Sequence, residues 1–334
     1  MMTHTDFFGC KHPIVCLPMN GVSDLNLAVA VSKAGALPSL SIPNYMSEMG
    51  NVFRTQDLAR DLFDFADKTG TNNLMLSVSD DILYHNRKIL YDLFEETKLT
   101  HIEIFLMMNN DTHGKGINDF SDFVSLVKDL KSIGLKVVVK SIFNSRDFPY
   151  DPHPNFWRMY PVMDGVLFKG REGAGKISNK PISLSYMLDI SNRFLKDKAT
   201  IVSGGISTNE QIMRYLKEGA TAVGIGTLFA LSEESHICQK SKQAVINENS
   251  RPLDKMRSES AIQNAFIFSE YSGIDNTNNS ESLTLGINGN GGHLFVGEGK
   301  KFVNEILPVA EIVARLMNAN YPVFHRAPAQ NNFA

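Results

Sequence analysis

Two short segments carry the residues best suited to holding an anion. Ser203-Gly204-Gly205-Ile206 and Gly224-Ile225-Gly226-Thr227 each stand at the end of an apolar run. Paired glycines let backbone N–H groups come close to an anion without a Cβ in the way. A helix is expected to begin near Thr208, and its positive N-terminal end adds to the field. In the second segment Gly224, Gly226 and the Thr227 hydroxyl can complete a phosphate cradle. Either turn alone is commonplace. Placed on consecutive strands they point to phosphate, with a pair of purely structural turns as the competing reading.

Three further segments could face whatever is attached to that phosphate. Gly170-Arg171-Glu172-Gly173-Ala174-Gly175-Lys176 is rich enough in glycine, Gly173 included, to leave room for a flat ring or a phosphate. It is not a P-loop, because the spacing of two glycines, four residues and Lys-Ser/Thr is absent. Pro18-Met19-Asn20-Gly21 offers a turn with one amide side chain, which could line the rim of a ring or simply join a strand to a helix. Lys140 lies inside an otherwise apolar run, where a lysine is costly unless it is paired or faces an anion. It either points into a binding site or reaches solvent from the strand end. His153 and His293 read as surface residues. No His/Glu/Asp spacing resembles a metal site, and Ser203 lacks the nucleophile-elbow context of a hydrolase.

The elements that must position these residues follow from hydrophobic periodicity. Apolar runs at Pro13–Met19, Leu37–Ile42, Leu74–Val78, Ile102–Met108, Lys136–Ile142, Gly165–Gly170, Thr200–Gly205 and Ala222–Leu228 predict strands. Amphipathic stretches alternate with them, the first capped by Ser23 and stopped by Gly35, the second capped by Thr55 and stopped by Gly70. Phe120–Leu130, Ser183–Leu195 and Asn209–Lys217 predict later helices. Phe148–Pro161, with four prolines and the only tryptophan, reads as a loop. Eight strand–helix units imply parallel pairing with right-handed crossovers and fit a closed (β/α)8 barrel, the TIM barrel. An open doubly wound sheet is the alternative. It usually shows a glycine-rich fingerprint after the first strand, where this chain has Pro18-Met19-Asn20-Gly21.

Past residue 232 the alternation stops. Glu233–Glu248 looks helical, Asp275–Ser282 is polar and Asn-rich, Gly286–Gly299 carries six glycines, and Phe302–Met317 reads as a closing helix. The expected division is a barrel over 1–232, an inserted helical or loop subdomain, or lid, over 233–302, and a closing helix and tail over 303–334.

Bulk properties exclude several classes. The 334 residues suit a barrel of about 250 residues with additions. The chain is 43% hydrophobic and 21% charged with a net charge of −3, so neither nucleic acid nor an anionic membrane is the expected partner. Cys10, Cys16 and Cys238 have no zinc or disulfide spacing and read as reduced thiols. Without a targeting segment or an apolar run of about 18 residues, a cytoplasmic location is expected. A homodimer is compatible with all of this.

Taken together, the motifs resemble the nitronate monooxygenase family and the related FMN-dependent enoyl-thioester reductases. The resemblance runs through His12–Ser23, Leu27–Gly35 and Ile201–Ser235. It continues through Val296-Gly297-Glu298-Gly299 and the stretch from Pro308 to Val313; residues 45–160 match poorly. It implies FMN over the barrel mouth. Pro18, Met19, Asn20 and Gly21 would line the ring, with Ser77 where the family often has Asn or Gln and Lys140 near a flavin-contacting position. Gly204, Gly205, Gly226 and Thr227 would hold the phosphate. The family usually reads E-A-G-G-H after the sixth strand, with a catalytic histidine. Here the stretch is Glu172-Gly173-Ala174-Gly175-Lys176, which makes Lys176 the candidate catalytic residue. An ordinary lysine does not exchange a proton readily near pH 7. Lys176 would either have its pKa lowered by its surroundings or act as a fixed cation.

Three functions follow from that resemblance. One is oxidation of a nitronate or similar carbanion with oxygen, which needs no base when the nitronate is already formed. Another is NAD(P)H-dependent reduction of an enoyl thioester in fatty-acid or polyketide-like biosynthesis. The last is flavin binding without turnover.

Overall fold

The computed structural model describes residues 3–46, 53–106, 120–141, 156–177, 183–257, 262–268 and 279–319. Its strands in chain order are β1 (Ile14–Cys16), β2 (Ser39–Ser41), β3 (Met75–Ser79), β4 (His101–Phe105), β5 (Lys136–Ser141), β6 (Gly165–Lys169), β7 (Gly175–Ile177), β8 (Ala199–Ser203), β9 (Ala222–Ile225), β10 (Asp254–Arg257), β11 (Ile262–Ile267) and β12 (His293–Leu294). The helices are α1 (His4–Phe8), α2 (Leu25–Lys33), α3 (Thr55–Thr69), α4 (Asp80–His85), α5 (Arg87–Thr97), α6 (Phe120–Ser132), α7 (Phe156–Met159), α8 (Leu184–Phe194), α9 (Asn209–Lys217), α10 (Thr227–Ala230), α11 (Gln239–Asn247), α12 (Asn279–Asn288) and α13 (Val309–Met317).

Eight strands pair in the order β1-β9-β8-β6-β5-β4-β3-β2, and every pairing is parallel. Val15 bridges to Leu37, just ahead of β2, which brings the two ends of that order together. The result is the expected (β/α)8 barrel, whose seventh and eighth strands are β8 and β9.

Alternation within each strand sorts the side chains to two faces. Leu76, Val78, Ile102, Ile104, Val137, Val139, Val166, Phe168, Val202, Val223 and Ile225 pack outward in one core with the helices. Met75, Val138, Leu167, Ala199, Ile201 and Ala222 form a second, inner core with Phe7 and Phe8 of α1, which plugs the N-terminal end of the barrel. The same inward row carries Ser77, Glu103, Lys140, Lys169 and Ser203 towards the C-terminal end, where polar groups replace the apolar filling.

Several local expectations change. The cap of α2 is Asp24, whose carboxylate accepts from the Leu27 N–H at 2.9 Å. Ser23 instead holds the preceding turn, accepting from the Met19 N–H at 2.9 Å. Thr55 is inside α3, whose N-cap Arg54 offers no side-chain capping bond. Gly70 does end that helix, in the left-handed conformation its missing Cβ permits. The strand ends expected at Ile142, Met107 and Met108 lie outside the described residues, as do Phe148–Asn155 and His153; Phe156–Met159 forms the short α7.

The segment 233–302 is more than helical. Its helix starts at Gln239, not at Glu233, and α12 takes up residues 279–282 of the expected Asn-rich loop; 275–278 lie outside the described residues. Three of its strands join β7 in an antiparallel sheet in which β11 pairs with β10, β12 and β7. Because β7 follows β6 directly, the loop after a barrel strand supplies one strand of the cap's separate sheet. A glycine within α12 has a spatial reason: a Cβ on Gly286 would stand 2.0 Å from the His293 carbonyl oxygen. His293, read as a surface residue, is fully buried, with Nδ1 2.8 Å from the Ser282 hydroxyl. Residues 303–308 are not helical; the closing helix is α13, with Val309, Ile312, Val313 and Leu316 buried. Among the described residues no helix is long and apolar enough to cross a membrane.

Candidate functional site

At the C-terminal end of the barrel a narrow cavity opens into a wider chamber of about 610 Å³. The narrow part is walled by the turns after β8 and β9, including Gly204, Gly205, Gly226 and Thr227. The chamber lies between the barrel mouth and the cap, with Ile82, Phe105, Ile237, Leu283, Leu294 and Phe295 supplying apolar surface. Pro18, Met19, Lys140, Lys169 and Ala174 line both spaces and mark their junction. A phosphate with a flat ring tethered to it would be suited by a small glycine-lined seat beside a larger, mostly apolar room.

The turns are built for close approach. Gly204 and Gly205 have φ of +116° and +74°, backbone that favours glycine. A Cβ on Gly204 would press on the Gly170 backbone at 3.0 Å, so the loops after β6 and β8 touch there. Gly226 differs, since the nearest atom to its would-be Cβ is Met19 Sδ at 3.6 Å; there the glycine keeps the cavity open. The Thr227 oxygen accepts from the Gly297 N–H at 2.9 Å, which leaves its hydroxyl hydrogen for an anion. At the start of α9, N-cap Thr208 and Gln211 form a capping box, and Gln211 also accepts from the Ser207 N–H, so side chains take the N–H groups of Ser207, Thr208 and Gln211.

A charged cluster sits under the junction. Glu103 is wholly buried on β4, and its Oε1 accepts from the Ser77 hydroxyl at 3.1 Å and from Lys140 Nζ at 3.2 Å. Its Oε2 has no hydrogen-bond partner. Lys169, at the end of β6, donates from Nζ to the Ala174 carbonyl. A Cβ on Gly173 would stand 2.8 Å from Lys169 Cε, so that glycine makes room for the lysine. Burial pushes the Lys169 ammonium down to about 7; the neighbouring Lys140 adds to the fall and Glu103 opposes it.

The structure therefore gathers most of the residues singled out from sequence. Pro18, Met19, Asn20, Ser77, Lys140, Gly173, Gly204, Gly205, Gly224, Gly226 and Thr227 all line the narrow cavity or the chamber. Gly21 is outside both; it turns the chain at φ +73° and its N–H donates to Asn44 Oδ1 at 2.7 Å. Asn20 accepts from the Ser41 hydroxyl at 2.8 Å, which fixes its amide at the chamber wall. Lys176 is on β7, in register with Gln263 of the cap, and Gln263 lines the chamber. Sequence reasoning missed Glu103 and Lys169. The criterion that found Lys140, a charge inside an apolar strand, applies equally to His101-Ile102-Glu103-Ile104-Phe105 and to Gly165-Val166-Leu167-Phe168-Lys169.

The nitronate monooxygenase family model matches residues 155–319, from ahead of β6 to beyond α13. This agrees with the resemblance read from the motifs and makes the chain an enzyme of the flavin-dependent oxidoreductase class. Among solved structures, FabK from Thermotoga maritima is similar at a TM-score of 0.70 and 20% identity over 95% of each chain. A nitroalkane oxidase from Streptomyces ansochromogenes is similar at 0.68 and 18% identity, over 93% of this chain and 96% of that one. The enoyl reductase domain of MlnA, from the macrolactin biosynthesis cluster of Bacillus amyloliquefaciens, gives 0.54 and 12% identity over 83% and 72%. At such identities the likeness is one of fold. No curated protein sequence matches the chain.

Proposed function

We propose that this chain is an FMN-dependent oxidoreductase that oxidises a nitronate or a similar carbanionic substrate with oxygen. The observation that carries the reading is the junction itself, where Lys140 and Lys169 line both the narrow cavity and the chamber, with Lys140 paired to Glu103 at 3.2 Å and Glu172 on the narrow wall. Lysine side chains at a half-enclosed junction stabilise an anionic substrate, Lys169 once it is protonated. Gly204, Gly205, Gly226 and Thr227 would hold the phosphate. Pro18, Met19, Asn20, Ser77 and Gly173 would bound the ring, with Lys140 beneath it. When bound, FMN supplies the two-electron chemistry. A nitronate arrives already deprotonated, so the family's histidine is dispensable, and Lys176 would act as a fixed cation.

The test has two stages. Purified protein reconstituted with FMN should retain flavin absorbance through gel filtration, and a colourless protein overturns the cofactor. The loaded enzyme should then take up oxygen when given an alkyl nitronate. Absence of uptake overturns the substrate class.

A second reading rests on the chamber's size and apolar wall, which would also admit an acyl chain. In it NAD(P)H reduces the cofactor and an enoyl thioester is the acceptor. Anaerobic bleaching of the bound flavin by NAD(P)H, reversed by an enoyl thioester, supports this reading; no bleaching removes it. Retained flavin with neither turnover leaves the protein as a flavin carrier.

A further inference from the structure

Lys169 has the placement of a working group. It lines both the narrow cavity and the chamber, so anything spanning the two passes its Nζ. Its neighbours leave it without a dedicated counter-ion. Glu103 on β4 is within ion-pair distance of Lys140 on β5 at 3.2 Å, and Lys169 on β6 donates instead to the neutral Ala174 carbonyl. Glu172, in the loop after β6, lines the narrow cavity beside it, while β8 and β9 present Ser203 and Gly224, which carry no charge. Gly173 is the residue that lets the side chain lie where it does.

We propose that Lys169 is the proton-exchanging group of this site, taking a proton at Nζ when negative charge enters the chamber and releasing it when that charge leaves. The bond formed is N–H on the neutral amine, the proton coming from solvent through the open chamber; on release that bond breaks and the proton returns to solvent. No oxidant or reductant is consumed in this step. The role is the one the missing histidine leaves open, filled from a neighbouring strand and not from position 176. Burial and the Lys140 charge hold the amine near neutrality at physiological pH, and an added anion reverses the second of these effects. The proposal rests on the reading of the chamber as a flavin site that handles negative charge, but its first measurement needs no flavin.

The full chain is labelled with ¹³Cε-lysine and titrated by NMR without added cofactor. One lysine signal should have a midpoint near pH 7 and be lost in Lys169→Met. If the signal lost in that variant has its midpoint above pH 9, the proposal is overturned whether or not FMN binds. With FMN bound and reduced anaerobically by dithionite, the same midpoint should rise by one pH unit or more, a tenfold gain in proton affinity. An unmoved midpoint also overturns the proposal. If FMN is not retained, the cofactor reading fails by itself, and ethyl nitronate replaces it as the anion with the same two outcomes. Lys169→Arg, which keeps the charge but cannot release it, should abolish the change in turnover with pH through the Lys169 midpoint. A pH profile unchanged in that variant is evidence against the role.

Discussion

The two ends of the barrel use the same strands in opposite ways. On the inward row of β4 and β5 the N-terminal end carries His101 and Lys136, and the C-terminal end carries Glu103 and Lys140. At the first end the polar side chains are tied to the protein's own backbone. His101 Nε2 donates to the Phe7 carbonyl at 3.0 Å, and Lys136 Nζ donates to the carbonyls of Asp6 and Phe7 while lying 5.1 Å from the Phe7 ring centroid. Burial drives the His101 imidazole down to about 4 and lowers Lys136 as well. At the mouth the lysines face open space, and one buried carboxylate oxygen has no partner. A charge covered by backbone and aromatic rings holds a fold together. A charge of the same kind left facing a cavity is available for chemistry.

The contrast can be broken most forcefully at the plug. Phe8→Ala should cost about 3–5 kcal/mol of stability in urea unfolding, because it empties a fully buried site in the inner core. A cost under about 1 kcal/mol would mean that α1 does not seal the barrel. At the mouth, Lys140→Met should cost about 3 kcal/mol by leaving the Glu103 carboxylate buried without its ion-pair partner. Adding Glu103→Gln should recover most of that loss, and a strictly additive double variant would show that the pair is not coupled.

Gly226→Val should leave the melting temperature almost unchanged while weakening FMN binding about 100-fold, close to 2.7 kcal/mol, because a side chain there projects into the narrow cavity. Fluorescence titration reads the binding and thermal denaturation the stability. Equal losses in both would make Gly226 a packing residue.

Another effect concerns acid. His101 and His293 are both held down to about 4 by burial, below the ordinary value of 6.5. The unfolded chain then binds more protons than the folded one between these values, so stability should fall as pH drops from 6.5 to 4. Each histidine should contribute about 1 kcal/mol per pH unit in the middle of that window. His101→Gln should flatten the fall by about half. An unaltered slope would mean that the N-terminal end admits the charged ring, and the contrast between the ends would weaken.

Much of the site is legible in the amino-acid sequence, for reasons that particular residues make plain. Glycines at 204, 205 and 226 are unusual enough at strand ends to point to an anion, and counting strands places them side by side on β8 and β9. Lys140 stands out by interrupting the apolar run that begins Val137-Val138-Val139. Glu103, at the centre of β4, interrupts its strand in the same way, whereas Lys169 closes β6, where a charge is ordinarily solvated. The cap escapes sequence reading because β10 is short and polar, β11 is interrupted by Gln263 and Asn264, and both pair antiparallel outside the strand–helix alternation, so local periodicity does not expose them. Gly21 and Ser23 belong to a turn whose hydrogen bonds run to Asn44 and Met19, pairings that pattern does not reveal.

The amino-acid sequence by itself determined the barrel, its strand count, the phosphate-type turns and the resemblance to nitronate monooxygenases. Each of these is written in local period, in glycine placement or in a contiguous motif. Tertiary structure alone decided that Ser77, Glu103, Lys140 and Lys169, from four different strands, meet under one junction, and that Gly173 gives the last of them its space. The physical reason is that a residue's inward or outward facing follows from its own strand, whereas its height relative to residues on other strands follows from barrel stagger and closure. That relative height places Lys169 at the meeting point of the phosphate-type cavity and the chamber.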